Sequence, residues 1–492
     1  MTRDARTLVR TTLLIAAGIA VLVFAQTVAD LRSIRGAWNT ASTFTPDEAR
    51  LLMTALNRSF NQLLAIILTA VAIAVPLTAN TYSVKLLETF IGDAVNRTVL
   101  LAFVFGVCNN LWLHHVIGHG HLPHLQLGVS LVMAFLYPAL LVPYLYYVFR
   151  FLQPEALLAR LSGELERTVR RAAADPDAVR DAADDAQALV EHLGSVGIRS
   201  VDRSDRTTAV ETVHTLRRFV ERYRALKPGL PAAWAQAGRQ ATGAHADDAP
   251  VWLEARIFSE FRALLSSAAP RMHAAATAIA DDTCALGLAA DAHQDGAIDG
   301  LVVEYFNTFV RLAINRKDVR SLFILFDRYR QYAAGICLDR PERTLEIAFY
   351  FQYYARAAWD AGLTFAVETV AHDLASLVRH GWELGAPNRA KLLERMLAFG
   401  REASPQPLAG VKKAEAILAG YFLLRGESDA AAAIAEGFRG LDPAFVAALR
   451  DDIRHVRREK YWEVTERRMN LDYAPPDQRA KVEEFFNRIL PN

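Results

Sequence analysis

Charge is missing where a soluble chain of 492 residues would need it. No Lys, Arg, Asp or Glu occurs between Thr98 and Phe149, between Ser59 and Val84, or between Thr11 and Ala29. Helices that face water carry such residues, so these stretches exclude an ordinary aqueous fold for the first third of the chain. Cysteine is scarce as well. Cys108, Cys284 and Cys337 are too few for a disulfide framework, and a reducing compartment suits the bulk of the chain. Net charge is close to nil, with 55 Lys+Arg against 54 Asp+Glu, which excludes a globally basic nucleic-acid binder and a polyacidic chain. Catalytic signatures are absent too: no Gly-Lys-Ser/Thr phosphate loop, no Gly-x-Ser-x-Gly, no His-Glu-x-x-His and no dinucleotide fingerprint. The expectation is a protein that is not an enzyme and has no cofactor.

What is present in the uncharged stretches is apolar and helix-length. A hydrocarbon core about 30 Å thick is crossed by about 20 helical residues. Four spans fit, at residues 11–29, 60–82, 98–115 and 125–149, with the polar segment 118–124 turning the chain between the last two. Backbone groups in lipid have to be satisfied within the segment, so each span is expected as a helix. Arg3, Arg6, Arg10, Lys85, Arg97, Arg150, Arg160, Arg167, Arg170 and Arg171 gather on one side of these spans, and only Arg32, Arg35, Arg50 and Arg58 on the other. The positive-inside rule then puts both termini in the cytoplasm. A rival reading makes the first span a secretory signal cut after Val23-Phe24-Ala25, which leaves the C-terminal side unchanged.

The second span opens on Thr45-Pro46-Asp47-Glu48, a capping box with proline in the first turn, so its helix is expected to start near Pro46, outside the bilayer. Pro76 is expected to kink it. Gln62, Ala65, Thr69, Ala72, Pro76 and Asn80 recur at helical spacing as a small, polar stripe on an otherwise apolar helix. Small residues serve close helix packing, and Gln62, Thr69 and Asn80 would equally line a pore or solute path. In the third span Asn109 and Asn110 need partners, and interhelical hydrogen bonding is the simpler role. The fourth ends in Tyr144, Tyr146, Tyr147 and Phe149, an interfacial aromatic belt. His114, His115, His119, His121 and His124 crowd the turn after the third span. Imidazoles are common transition-metal ligands, but no Cys, Asp or Glu stands beside them, so a polar turn is the plainer account.

Residues 51–161 resemble a widespread bacterial family of predicted membrane proteins of unknown function. The resemblance rests on the hydroxyl-containing helix 59–81, the amphipathic link Ser83-Val84-Lys85-Leu86-Leu87-Glu88-Thr89-Phe90-Ile91-Gly92-Asp93, and the helix opening on Asn96-Arg97-Thr98-Val99. Ser83-Val84-Lys85 stands where the family usually has Ser-Pro-Arg, and the family's Phe-Ser pair is lacking. The resemblance implies a multi-pass protein of the bacterial inner membrane and no catalytic residues.

From Glu155 onward the pattern is helix after helix, and the whole chain is expected to be all-α. The domains expected are a transmembrane domain 1–150, a juxtamembrane helical region 151–226, a linker 227–250 rich in Pro and Gly, and a cytoplasmic helical-repeat domain 251–492. Asp175-Pro176 and Asp442-Pro443 are helix starts. Helical hairpins around residues 313–319, 358–362 and 419–427 suggest a tetratricopeptide-like α-solenoid, although their spacing is uneven. Asp281, Asp282, Asp291, His293 and Asp295 match no standard metal spacing and suit a solvated helix end. Phe349, Tyr350, Phe351, Tyr353, Tyr354 and Trp359 fit a helical core or a binding stripe. Two functions follow as expectations. One is a homo-oligomeric gated ion or small-solute channel with a cytoplasmic sensor. The other is a membrane-anchored scaffold whose helices bind a cytoplasmic protein partner. No nucleic acid is expected, and the lipid bilayer is the one partner common to both.

Overall fold

The computed structural model describes residue 25 and residues 45–81, 90–117, 122–242, 250–292, 296–402, 406–461 and 466–490. Among them every regular element is helical, and none is a strand. The chain divides into two compact units, Met1–Leu157 and Leu158–Asn492.

In the first unit α1 (Pro46–Thr81), α2 (Ala94–Ile117) and α3 (His124–Phe151) pack against one another in all three pairings. Each is long and apolar enough to cross a membrane. The expected span 11–29 lies outside the described residues except for Ala25. The capping box starts α1: Thr45 N–H donates to Glu48 Oε2 (2.8 Å), and Glu48 N–H donates to Thr45 Oγ1 (3.4 Å). Pro76 sits inside α1 without ending it. Ala49 and Met53 of α1 pack with Leu113 and Ile117 of α2 and Leu127 of α3. Farther along, the Tyr137 ring lies between Phe60 (4.9 Å between centroids) and Phe103 (4.4 Å).

The burial pattern of this unit is inverted relative to a water-soluble bundle. Asn96, Asn109, Asn110, Gln126 and Ser130 are buried, whereas Phe135 is 80% exposed, Val142 72% and Ile73 64%. Left in water, each such side chain forgoes about 1.5–3 kcal/mol of burial. A hydrocarbon surround removes that cost, so lipid is the solvent these helices suit.

In the second unit α4 (Pro154–Ala174), α5 (Val179–Asp202), α6 (Arg206–Leu226) and the short α7 (Ala233–Thr242) lead into α8 (Trp252–Ala268), α9 (His273–Ala292), α10 (Gly296–Asn315), α11 (Val319–Gly335), α12 (Pro341–Asp360), α13 (Phe365–Leu384) and α14 (Arg389–Glu402). α15 (Ala409–Arg425), α16 (Ser428–Glu436), α17 (Pro443–His455) and α18 (Pro476–Ile489) complete it. The helices stack in two rows. One runs α6, α9, α11, α13, α15, α18, and the other runs α5, α8, α10, α12, α14. Sequence-adjacent helices join the rows, for example α9 to α10 and α12 to α13.

Aspartates punctuate the starts. Asp205 accepts from Thr208 N–H (3.1 Å), Asp318 from Ser321 N–H (3.1 Å) and Asp442 from Ala444 N–H (3.0 Å). Glycines in the left-handed region end α13 and α15, at Gly385 (φ +69°) and Gly426 (φ +77°).

Residues 227–250 differ from the bare linker expected. Pro228 and Gly229 close a 3-10 turn at the end of α6, and α7 follows it. Trp234 Nε1 donates to Tyr223 Oη (2.8 Å), and its ring lies 5.1 Å from that of Trp252. The helix-breaking residues make a tight corner, and the helices on either side of it belong to one unit, because α5 packs on α8 and α6 on α9.

Candidate functional site

The stripe on α1 faces away from the other two helices. Gln62, Ala65, Thr69, Ala72 and Pro76 are exposed, and the side chain of Asn80 lies outside the described residues. The face that meets α2 and α3 carries Met53, Phe60, Ile67 and Val75, all buried. A spacing of three and four residues places each set on one side of the same helix, roughly opposite the other.

The polar groups that do lie inside form a column between α2 and α3. Asp93 accepts from Asn96 N–H (3.0 Å), which holds the start of α2. Asn96 Nδ2 donates to Phe90 O (3.1 Å), Tyr144 Oη donates to Asn96 Oδ1, and Tyr147 Oη donates to Asp93 Oδ1 (2.6 Å). Next along the helix pair, Tyr137 Oη donates to Ala102 O, its ring occupying the space that a Cβ on Gly106 would take. At the far end Asn109 Nδ2 donates to Ser130 Oγ (3.1 Å), with Gln126 buried in the same helix pair. Among the described residues neither the Nδ2 nor the Oδ1 of the fully buried Asn110 has a hydrogen-bond partner.

His114 and His115 are exposed at the end of α2. His119 and His121 lie outside the described residues, as does the side chain of His124. Among the described residues no group of three His, Cys, Asp or Glu stands close enough to hold a metal ion.

The charged residues of the second unit are organised by ion pairs that cross between helices. Asp281 pairs with Arg328, Asp282 Oδ2 lies 2.8 Å from His214 Nδ1, and Asp291 Oδ1 lies 2.9 Å from Arg340 Nε. Burial pushes the Asp282 carboxyl above its usual range against the pull of His214 and Arg217. His293 and Asp295 fall outside the described residues. Of the aromatic group on α12, Phe351 and Tyr354 are buried while Phe349 and Tyr353 are exposed.

Sequence reasoning passed over the largest of these networks. Asp373 of α13 holds both Arg467 (Nη1 at 2.7 Å) and Arg330 of α11 (Nε at 3.3 Å), and Arg330 also reaches Asp327 (2.8 Å). Beside it a groove of about 710 Å³ opens over the first turns of α6 and α9 and along α11 from Arg320 to Gln331, lined by Arg206, His273, Arg320, Arg328, Glu466 and Arg468 among others. Along the sequence these residues look like any solvated charges. Their shared signal is arginine itself, three on α11, two at Arg467 and Arg468 and one at the start of α6.

Three long apolar helices with polar residues buried between them suit a membrane. Residues 5–202 match the family model described as Predicted membrane protein (DUF2254). The DUF2254 match covers the first unit from residue 5 and ends at the last residue of α5. It reaches beyond the resemblance at residues 51–161 on both sides and leaves 203–492 outside it. No curated protein matches the chain. Among solved structures, a "Circular tandem repeat protein with novel repeat topology and enhanced subunit contact surfaces" is 13% identical over 89% of this chain and 96% of its own. Its TM-score is 0.34, too low to carry an argument about the fold beyond the DUF2254 segment.

Proposed function

We propose that the chain is a homo-oligomeric, multi-pass protein of a bacterial inner membrane, with both termini cytoplasmic, and that it forms a gated path for ions or small solutes. Copies assemble around α1, and Gln62, Thr69 and Asn80 line the path while Pro76 shapes it. The observation that supports this reading is the outward direction of the stripe. An amide and a hydroxyl turned from α2 and α3 in lipid need polar company from elsewhere, and a neighbouring copy supplies it. The two stacked rows of the second unit support an α-solenoid reading for that unit, which then acts as sensor or gate rather than as an enzyme.

The test is flux through liposomes holding the purified full-length chain. Wild type is expected to pass monovalent ions, Gln62→Leu with Thr69→Leu to pass far fewer, and a conservative change at lipid-facing Ile73 to alter nothing. Absence of flux in wild type overturns the conduction reading. The second reading, a membrane-anchored scaffold for a cytoplasmic protein, is favoured by one observation: Phe349 and Tyr353 stand 47% and 52% exposed on α12. Conduction by wild type that survives both exposed aromatics being changed to Ser separates the two.

A further inference from the structure

We propose that the groove over the starts of α6 and α9 and along α11 binds a small molecule carrying several phosphate or equivalent anionic groups. The site goes beyond the membrane reading and stands whether or not α1 lines a path. Its lining holds six arginines (Arg206, Arg320, Arg328, Arg330, Arg467 and Arg468) against two carboxylates, Asp327 and Glu466. Asp281 and Asp373, outside the lining, pair with Arg328 and Arg467 and still leave the arginines in excess.

The arginines are not equal. Arg467 is wholly committed, donating to both oxygens of Asp373 and to Phe323 O. It acts as the floor. Arg330 is held by Asp327 and Asp373 at the back. Arg320 gives its Nε to Glu466 (2.5 Å), and its two terminal nitrogens meet no other carboxylate among the described residues. Arg206 is exposed and has no ion pair among them. These two are the groups free to receive a ligand, and the planar guanidinium fork matches phosphate geometry in pairs of hydrogen bonds.

The backbone adds to the field. Arg206 is the first residue of α6, Arg320 the second of α11, and His273 and Ala274 open α9. Three stacked helices thus bring their positive ends to one groove. The aspartates that cap two of them, Asp205 and Asp318, are turned onto backbone N–H groups. A volume of about 710 Å³ suits a drug-sized molecule rather than a single phosphate ion.

A free polyphosphate and a phospholipid headgroup share this chemistry, and two arms of one experiment separate them. The full-length chain in phosphatidylcholine nanodiscs, at a fixed ionic strength of about 0.15 M, is titrated with tripolyphosphate in one arm and with a short-chain cardiolipin, whose headgroup carries two phosphates, in the other. Saturable binding at one site per chain is expected in at least one arm, and the arm that binds identifies the source. Arg206→Ala with Arg320→Ala is expected to weaken it about tenfold or more. Arg439→Ala, at an exposed arginine in the turn between α16 and α17, is expected to leave it unchanged. Both lining changes are at exposed side chains, and unaltered helical signal and melting would show that the fold survives them. No binding in either arm, or equal binding by wild type and the double variant, overturns the proposal.

Discussion

Arg467 and Asp373 form a two-pronged ion pair, with Nη1 2.7 Å from Oδ1 and Nη2 2.9 Å from Oδ2, and their side chains are 1% and 2% exposed. The guanidinium also donates to Phe323 O from Nε (3.1 Å) and lies 4.3 Å from the centre of the Phe323 ring. One side chain from the segment between α17 and α18 is thereby locked onto α11 and α13.

Removing one partner of this pair strands a charge on a side chain that is almost wholly buried. Arg467→Ala or Asp373→Ala is expected to cost about 3–5 kcal/mol of stability, and Arg467→Met combined with Asp373→Leu markedly less. Thermal or denaturant unfolding of the full chain in detergent, followed by circular dichroism, reads the difference. Equal losses in single and double variants would refute the account.

A second tie of the same segment titrates. Asp472 lies 3.3 Å from His372 Nε2 and also pairs with Lys413. Burial works to raise its carboxyl, but His372 and Lys413 outweigh it and hold the group down at about 2. A depressed carboxylate stabilises above its unfolded value and loses that stabilisation as pH falls toward its folded one. The gap between wild type and Asp472→Asn is therefore expected to be about 2 kcal/mol near neutral pH, and to close between about pH 4 and pH 2. A gap that stays constant down to pH 2 would count against the pairing.

Helix α15 meets α18 through Gly420. A Cβ there would stand 3.0 Å from Val482 N and 3.2 Å from Gln478 O, both backbone atoms that cannot rotate aside. Gln478 Nε2 donates to Ile417 O (2.8 Å) across the same contact. Gly420→Ala is expected to destabilise by about 1–3 kcal/mol through overpacking. Gly300, inside α10 with nothing within 4 Å of the corresponding point, is the contrast. There Ala is expected to add about 0.5–1 kcal/mol, because glycine loses more freedom in a helix. Melting temperatures of the two variants should move in opposite directions.

In the first unit the Asn109–Ser130 hydrogen bond joins α2 to α3. A double-mutant cycle of Asn109→Leu and Ser130→Ala in detergent is expected to give a coupling energy of about 0.6 kcal/mol. Additive effects would show that the amide is satisfied by something other than Ser130.

Some of this could be read along the chain. The capping box at Thr45 and Glu48 and the Asp442-Pro443 start use groups within a few residues of one another, so local chemistry decides them. At Lys227–Gly229, Pro and Gly mark a turn without saying whether the helix after it packs on the helices before it. Trp234, which packs on Trp252, carries that information only once both helices are in place. Likewise Gln62 and Asn109 are both amides on apolar helices. The sequence shows that each needs polar company in an apolar helix, and packing alone turned one outward and the other toward Ser130.

What the sequence determined by itself is the solvent and the element type. An absence of charge over a window as long as a membrane span is a local property, and so is helical periodicity. The tertiary structure alone decided which charges are spent and which are free. Arg467 lies 94 residues from Asp373, and Arg206, His273 and Arg320 come from three separate helix starts. Paired and solvated arginines alternate with acids in the same way along a helix, so only the stacking that brings distant turns together distinguishes a buried tie from an open anion groove.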